Sequence, residues 1–287
     1  MSPLAKFTMI LNKHHFYIEA APELGGRLCC LKFQDKDLIV PLTERPFQPT
    51  QWPKQGAYPL FPYHNRIENA QFGWQQKIIT LATFPESEHT LHGTAHQKVW
   101  HGNISADTLT MILNSEPDID WPWAYQATQS FRIIENTLHI ELILKNLSNT
   151  PMPAGMGWHP YFCHLKNITC RPETHWPLNQ ELLPIPTPEV FSETLTLAAG
   201  ETYYLSGCQE ITFEFHGKSG RLTTDKTLNH PVLHASPDGS YTCIEPTTHI
   251  PNALNLVHSE AALKHSLGTL SLSPGSKLVS SIKLTID

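Results

Sequence analysis

A chain of 287 residues with 20 Lys and Arg against 26 Asp and Glu has a formal charge of −6, and its basic residues are scattered singly, which argues against a nucleic-acid partner. No run of about eighteen apolar residues occurs, and Met1 to Ile18 carries Lys6, Lys13 and two histidines where a signal peptide would have an apolar core, so the chain reads as cytoplasmic with no membrane partner. The 24 prolines interrupt nearly every stretch that could become a long helix. Short runs of Val, Ile, Thr and aromatic residues fill the gaps, which predicts an all-β fold with few short helices. Neither a repeat nor a flexible linker divides the chain, so residues 1–287 are expected to form one domain, a large antiparallel sandwich. Cys29, Cys30, Cys163, Cys170, Cys208 and Cys243 form no C-x-x-C pair and read as reduced, mostly buried thiols.

Along the chain, the first unusual segment is Tyr58-Pro59-Leu60-Phe61-Pro62-Tyr63-His64-Asn65-Arg66-Ile67. Its prolines stiffen an extended approach to Arg66, whose fork of donors suits neighbouring hydroxyls or a carboxylate, although a surface arginine in a proline-rich loop would look the same. Next comes His89-Thr90-Leu91-His92-Gly93-Thr94-Ala95-His96. His92 and His96 have the spacing of two ligands on one helix face, but Gly93 and the β-rich surroundings argue against that helix and hence against a metal. A neutral imidazole offering one donor and one acceptor to a sugar is the more natural use of His92.

Leu138, Ile140, Leu142 and Leu144 alternate with His139, Glu141 and Lys145, the period of a half-buried strand. With Phe131 to Ile134 and a turn at Glu135-Asn136, this strand is expected to make a hairpin. Directly after it, Gly155-Met156-Gly157-Trp158-His159-Pro160-Tyr161-Phe162 combines glycines that let backbone approach a ligand, aromatic faces on which a pyranose can stack, and a histidine held extended by the following proline. Further on, Tyr241-Thr242-Cys243-Ile244-Glu245-Pro246 places a carboxylate at a strand end, where partial burial would raise its pKa. A structural histidine and a solvated rim glutamate are the bland alternatives. Finally, Leu270 and Leu272, a Ser273-Pro274-Gly275-Ser276 turn, and Leu278, Ile282, Leu284 and Ile286 predict a second hairpin whose last strand closes a sheet.

The stretches Asn-Arg-Ile at 65–67, Leu-His-Gly at 91–93, Gly-Trp-His-Pro-Tyr-Phe at 157–162 and Cys-Ile-Glu-Pro at 243–246 stand in the order and approximate spacing of the aldose 1-epimerase (galactose mutarotase) family, which the sequence resembles from about Gly25 onward. The resemblance implies a galactose mutarotase-like β-supersandwich acting on a small-molecule sugar without a cofactor. It also implies Glu245 as the base at the anomeric hydroxyl, His159 as the acid at the ring oxygen, and Arg66 and His92 as hydroxyl contacts. Asn65, His96 and Trp158 complete the candidate substrate-binding set, His96 reading equally as a turn residue. Such a pair is expected on opposite sides of the sugar, with Glu245 ionised and His159 protonated beforehand.

The sequence departs from the family where a substrate-binding aspartate usually stands, since Leu205-Ser206-Gly207-Cys208 offers no carboxylate. Besides Arg66, the arginines Arg27, Arg45, Arg132, Arg171 and Arg221 are spread widely, which favours a neutral aldose over a hexose 6-phosphate. A non-catalytic sugar-binding protein on the same scaffold is the competing reading. A glycoside hydrolase would need a second carboxylate paired with Glu245, and none is evident. Monomer and homodimer stay open.

Overall fold

The computed structural model describes residues 8–43, 47–51 and 53–287, so Lys6 and Arg45 lie outside the described residues. Within them an eleven-stranded sheet packs on a nine-stranded sheet, and every ladder between strands is antiparallel. The single described α-helix, Ala253–Leu256, is one turn long. No described helix is long and apolar enough to cross a membrane.

Period-two patterning sets the nine-stranded sheet. Tyr125–Ile134 and Thr137–Asn146 form the expected hairpin around Glu135-Asn136, and Leu138, Ile140, Leu142 and Leu144 are all buried. They enter one large core with Trp158, Phe162, Leu205, Leu233 and Ile244 from the other sheet. Each such side chain contributes roughly 1.5–3 kcal/mol by leaving water.

The C-terminal hairpin does not form. The turn is made, with Ser276 N donating to Ser273 O at 3.0 Å, but Leu270–Leu272 pairs with Met152–Ala154. Buried Asn146 explains the parting of the two arms: its Nδ2 donates to Leu272 O, and its backbone bonds Gly275 and Ser276. The last strand, Lys277–Ile286, therefore lies inside the nine-stranded sheet between Thr137–Asn146 and Lys218–Thr224 and closes no edge. All six cysteines are buried free thiols, as their spacing suggested.

Candidate active site

Five neighbouring strands of the larger sheet build the site: Ala57–Leu60, Gly157–Phe162, Thr242–Glu245, Val232–Ala235 and Thr202–Ser206. Because alternate residues of a strand share a face, the register dictates which side chains meet. Tyr161 pairs with Cys243, Cys243 with His234, and His234 with Thr202, which makes one row. The next row on the same face runs from Tyr58 through His159 and Glu245 to Val232 and Tyr204. His159 and Glu245 are thus cross-strand neighbours, and His159 Nε2 lies 3.4 Å from Glu245 Oε1.

Above these rows is a cleft of about 220 Å³, walled also by Lys54, Asn65, Arg66 and His92. Arg66 and His92 are brought together by a short antiparallel pair, Arg66–Ile67 with Thr90–Leu91. The two loops lock reciprocally: His92 N donates to Asn65 O at 2.9 Å, and Asn65 N donates to His92 Nδ1 at 3.2 Å. Asn65 Oδ1 accepts from the backbone and guanidinium of Arg66 and from the Tyr204 hydroxyl. The right angle between His92 and His159, 80° with centroids 5.0 Å apart, continues the pocket wall.

Gly93 makes that wall possible. Its φ is +70°, and a Cβ there would stand 2.0 Å from the Phe61 carbonyl oxygen, which accepts from Thr94 N and Ala95 N. Gly93→Ala is expected to destabilise the protein by at least about 2 kcal/mol, as read from urea unfolding. An unchanged midpoint would show that the loop can yield. At Gly157 a Cβ would lie 2.7 Å from Pro246 O, so that glycine admits the neighbouring strand rather than a ligand.

Two expected contacts are corrected. Trp158 is fully buried and packs at right angles to Phe162 in the core, because it alternates with His159 and Tyr161 along one strand. It offers no face to a sugar. His96 lies behind Tyr58 in a small side cavity with Arg27, and neither ring nitrogen finds a hydrogen-bond partner among the described residues. In place of an aspartate the far wall carries the Tyr204 phenol and the Thr202 hydroxyl, the latter 2.8 Å from His234 Nδ1. Lys54, Thr202, Tyr204 and His234 were missed in the sequence.

Burial opposes the expected charge state. Both members of the pair are under 5 % exposed. Burial pushes Glu245 up to about 8, against the opposing pull of Arg66 and Lys54. Burial, reinforced chiefly by Lys54 and Arg27, holds His159 well below the usual imidazole range. His159 Nδ1 has no acceptor among the described residues, and its ring is oriented by stacking on Tyr58 at 4.6 Å. Burial therefore favours leaving the proton that the pair shares near neutral pH on Glu245, while the attraction between the two groups at 3.4 Å favours the ion pair. The two groups stand side by side on adjacent strands, 3.4 Å apart.

The ligand atoms of His159, Cys243 and Glu245 lie within 4.8 Å of one another, a set that a soft divalent ion could use. Lys54 and Arg66 in the same cleft oppose a cation there.

The family described as Aldose 1-epimerase matches residues 10–197. Escherichia coli (strain K12) YphB, an uncharacterised protein, is 31% identical over 108 residues, which span 37% of this chain and about a third of YphB, 36%. Among solved structures, a candidate aldose 1-epimerase from Escherichia coli K12 superposes with a TM-score of 0.81 at 19% identity, covering 98% of each chain. A galactose mutarotase-like protein from Clostridium acetobutylicum gives 0.80 at 17% identity, over 98% of this chain and 95% of its own. At these identities the likeness establishes the fold, a galactose mutarotase-like one.

Proposed function

Since the chain belongs to the aldose 1-epimerase family, we propose that it is a mutarotase, interconverting α and β anomers of an aldose by acid–base ring opening and reclosure. The observation that carries this reading is the buried His159–Glu245 contact at 3.4 Å on the floor of a cleft lined by hydroxyl-binding groups. In the proposed cycle the anomeric hydroxyl donates to Glu245 and the ring oxygen accepts from His159. Those two hydrogen bonds favour the carboxylate and the imidazolium, so binding draws the shared proton from Glu245 to His159. Glu245 then removes the anomeric proton, His159 protonates the ring oxygen, and the bond between that oxygen and the anomeric carbon breaks. Rotation about the bond between the first two carbons precedes the reverse steps.

Arg66 and His92 hold the sugar hydroxyls, and orientation of this kind adds to the gain from proton transfer. No step consumes an electron, so none calls for a redox cofactor. The missing aspartate favours one rival, a sugar-binding protein that has lost turnover. Polarimetry of freshly dissolved α-aldoses with chelator-treated protein decides between them. Faster relaxation to the same final rotation is expected. A sugar that raises the melting temperature yet relaxes at the uncatalysed rate would mark a binding protein.

A further inference from the structure

Arg27 is 1% exposed, and its guanidinium keeps its charge throughout the working pH range. Its contacts among the described residues include no carboxylate: Nη1 donates to Gln55 O at 2.8 Å, and the guanidinium lies over the rings of Tyr58 at 4.3 Å and Phe47 at 4.9 Å. The ionisable groups that act on its charge are Tyr58, Tyr161 and Cys29, phenols and a thiol rather than acids. One carbonyl and two ring faces soften the cost of burying a full charge without cancelling it.

The same residue borders a small cavity of about 10 Å³ behind Tyr58, whose walls include His96 and Tyr161. Arg27 Nε, both ring nitrogens of His96 and the Tyr161 hydroxyl are buried and have no hydrogen-bond partner among the described residues. Buried polar atoms are rarely left so, and several on the walls of one cavity point to a ligand. The walls select its chemistry. Arg27 and the Tyr161 hydroxyl offer donors, and His96, held neutral by burial and by Arg27 with its pKa lowered to about 3, offers one more. A cation is excluded by Arg27. Water would satisfy these atoms and leave the guanidinium uncompensated, whereas an anion does both. The room is about that of one water-sized sphere, so chloride enters with a slight shift of the side chains, and sulfate, phosphate or a sugar acid does not.

We propose that Arg27, His96 and Tyr161 form a buried halide site behind the floor of the cleft, occupied by chloride. Its position bears on the catalytic pair. Tyr58 meets the Arg27 guanidinium at 4.3 Å and stacks on His159 at 4.6 Å, so a single ring separates the two. A negative charge beside Arg27 offsets the opposition of that arginine to a proton on His159. The site itself needs only the fold, and it stands whether or not the protein is a mutarotase.

Thermal unfolding of the full chain at constant ionic strength tests it, with chloride replacing methanesulfonate, an anion too large for the cavity. Chloride at about 0.3 M is expected to raise Tm by roughly 3 °C or more, because a ligand bound only by the folded chain stabilises it by mass action. Bromide soaked into crystals should give an anomalous peak between Arg27 and His96. Arg27→Met, which removes the charge and keeps an unbranched side chain, should abolish both effects. Equal Tm in the two salts overturns the proposal, as does a chloride effect that survives Arg27→Met. A bromide peak with Tm unmoved would be an adventitious ion only, and overturns it as well. Should Arg27→Met not fold, the unaltered chain decides: a Tm rise together with a peak in the cavity upholds the site, and the lack of either ends it.

Discussion

Replacing Glu245 with glutamine is expected to slow anomer exchange by about 10²–10⁴-fold, the usual contribution of a positioned acid or base, without unfolding the protein. Glutamine matches glutamate in shape, and Glu245 Oε2 has no hydrogen-bond partner among the described residues for the substitution to break. His159→Asn should cost a similar factor. The two losses should not add, since either variant leaves a single group that cannot both remove and deliver a proton. Full activity in either variant would remove that residue from the proposed cycle.

The shared proton fixes the pH profile that should accompany this loss. The active free protein holds one proton between Glu245 and His159, whichever of the two carries it. Raising the pH past about 8 removes that proton and with it the acid, so kcat/KM should fall there. On the acid side a second proton must enter a buried pair next to Lys54 and Arg27, so the pair itself adds no limb in the usual imidazole range and activity is expected to fall there only with the fold. A profile centred on an ordinary histidine value would mean that the pair is solvated.

How much of this was legible depends on whether a feature is local. The alternation of Leu138 to Leu144 and the turn at Glu135-Asn136 lie within one hairpin, and both are realised. Ser273 to Ser276 also forms its turn, yet the strand before it finds Met152–Ala154, because a turn reverses the chain without choosing partners. Ordered motifs named His159 and Glu245, but their contact rests on the register of two strands far apart in the chain. Trp158 could have been placed correctly, since neighbours in a strand face opposite ways. Lys54 could not. It reaches the cleft from irregular chain, residues 53–56, that carries no pattern pointing at a site.

Acid is expected to unfold this protein near pH 5, because so many imidazoles are buried neutral. Burial lowers His96 and His230 to about 3 and His249 to about 4, and holds His64 and His92 well below their usual range. The unfolded chain takes protons at about 6.5 on groups where the folded chain refuses them, so stability is present above that pH and is lost as pH falls. Between pH 7 and 5 each group costs roughly 2 kcal/mol, and the five together roughly 10 kcal/mol, against a typical total of about 5–15 kcal/mol. Glu245 works in the opposite sense: its folded value of about 8 exceeds the unfolded one, so its contribution is full below the unfolded value and fades as pH rises through 8. One such group does not offset five. Trp100, Trp121, Trp158 and Trp176 are fully buried, so a red shift of indole fluorescence on acidification reports the transition. A fold that persists unchanged to pH 3.5 would mean that these histidines acquire partners when protonated, and would undo the argument from burial.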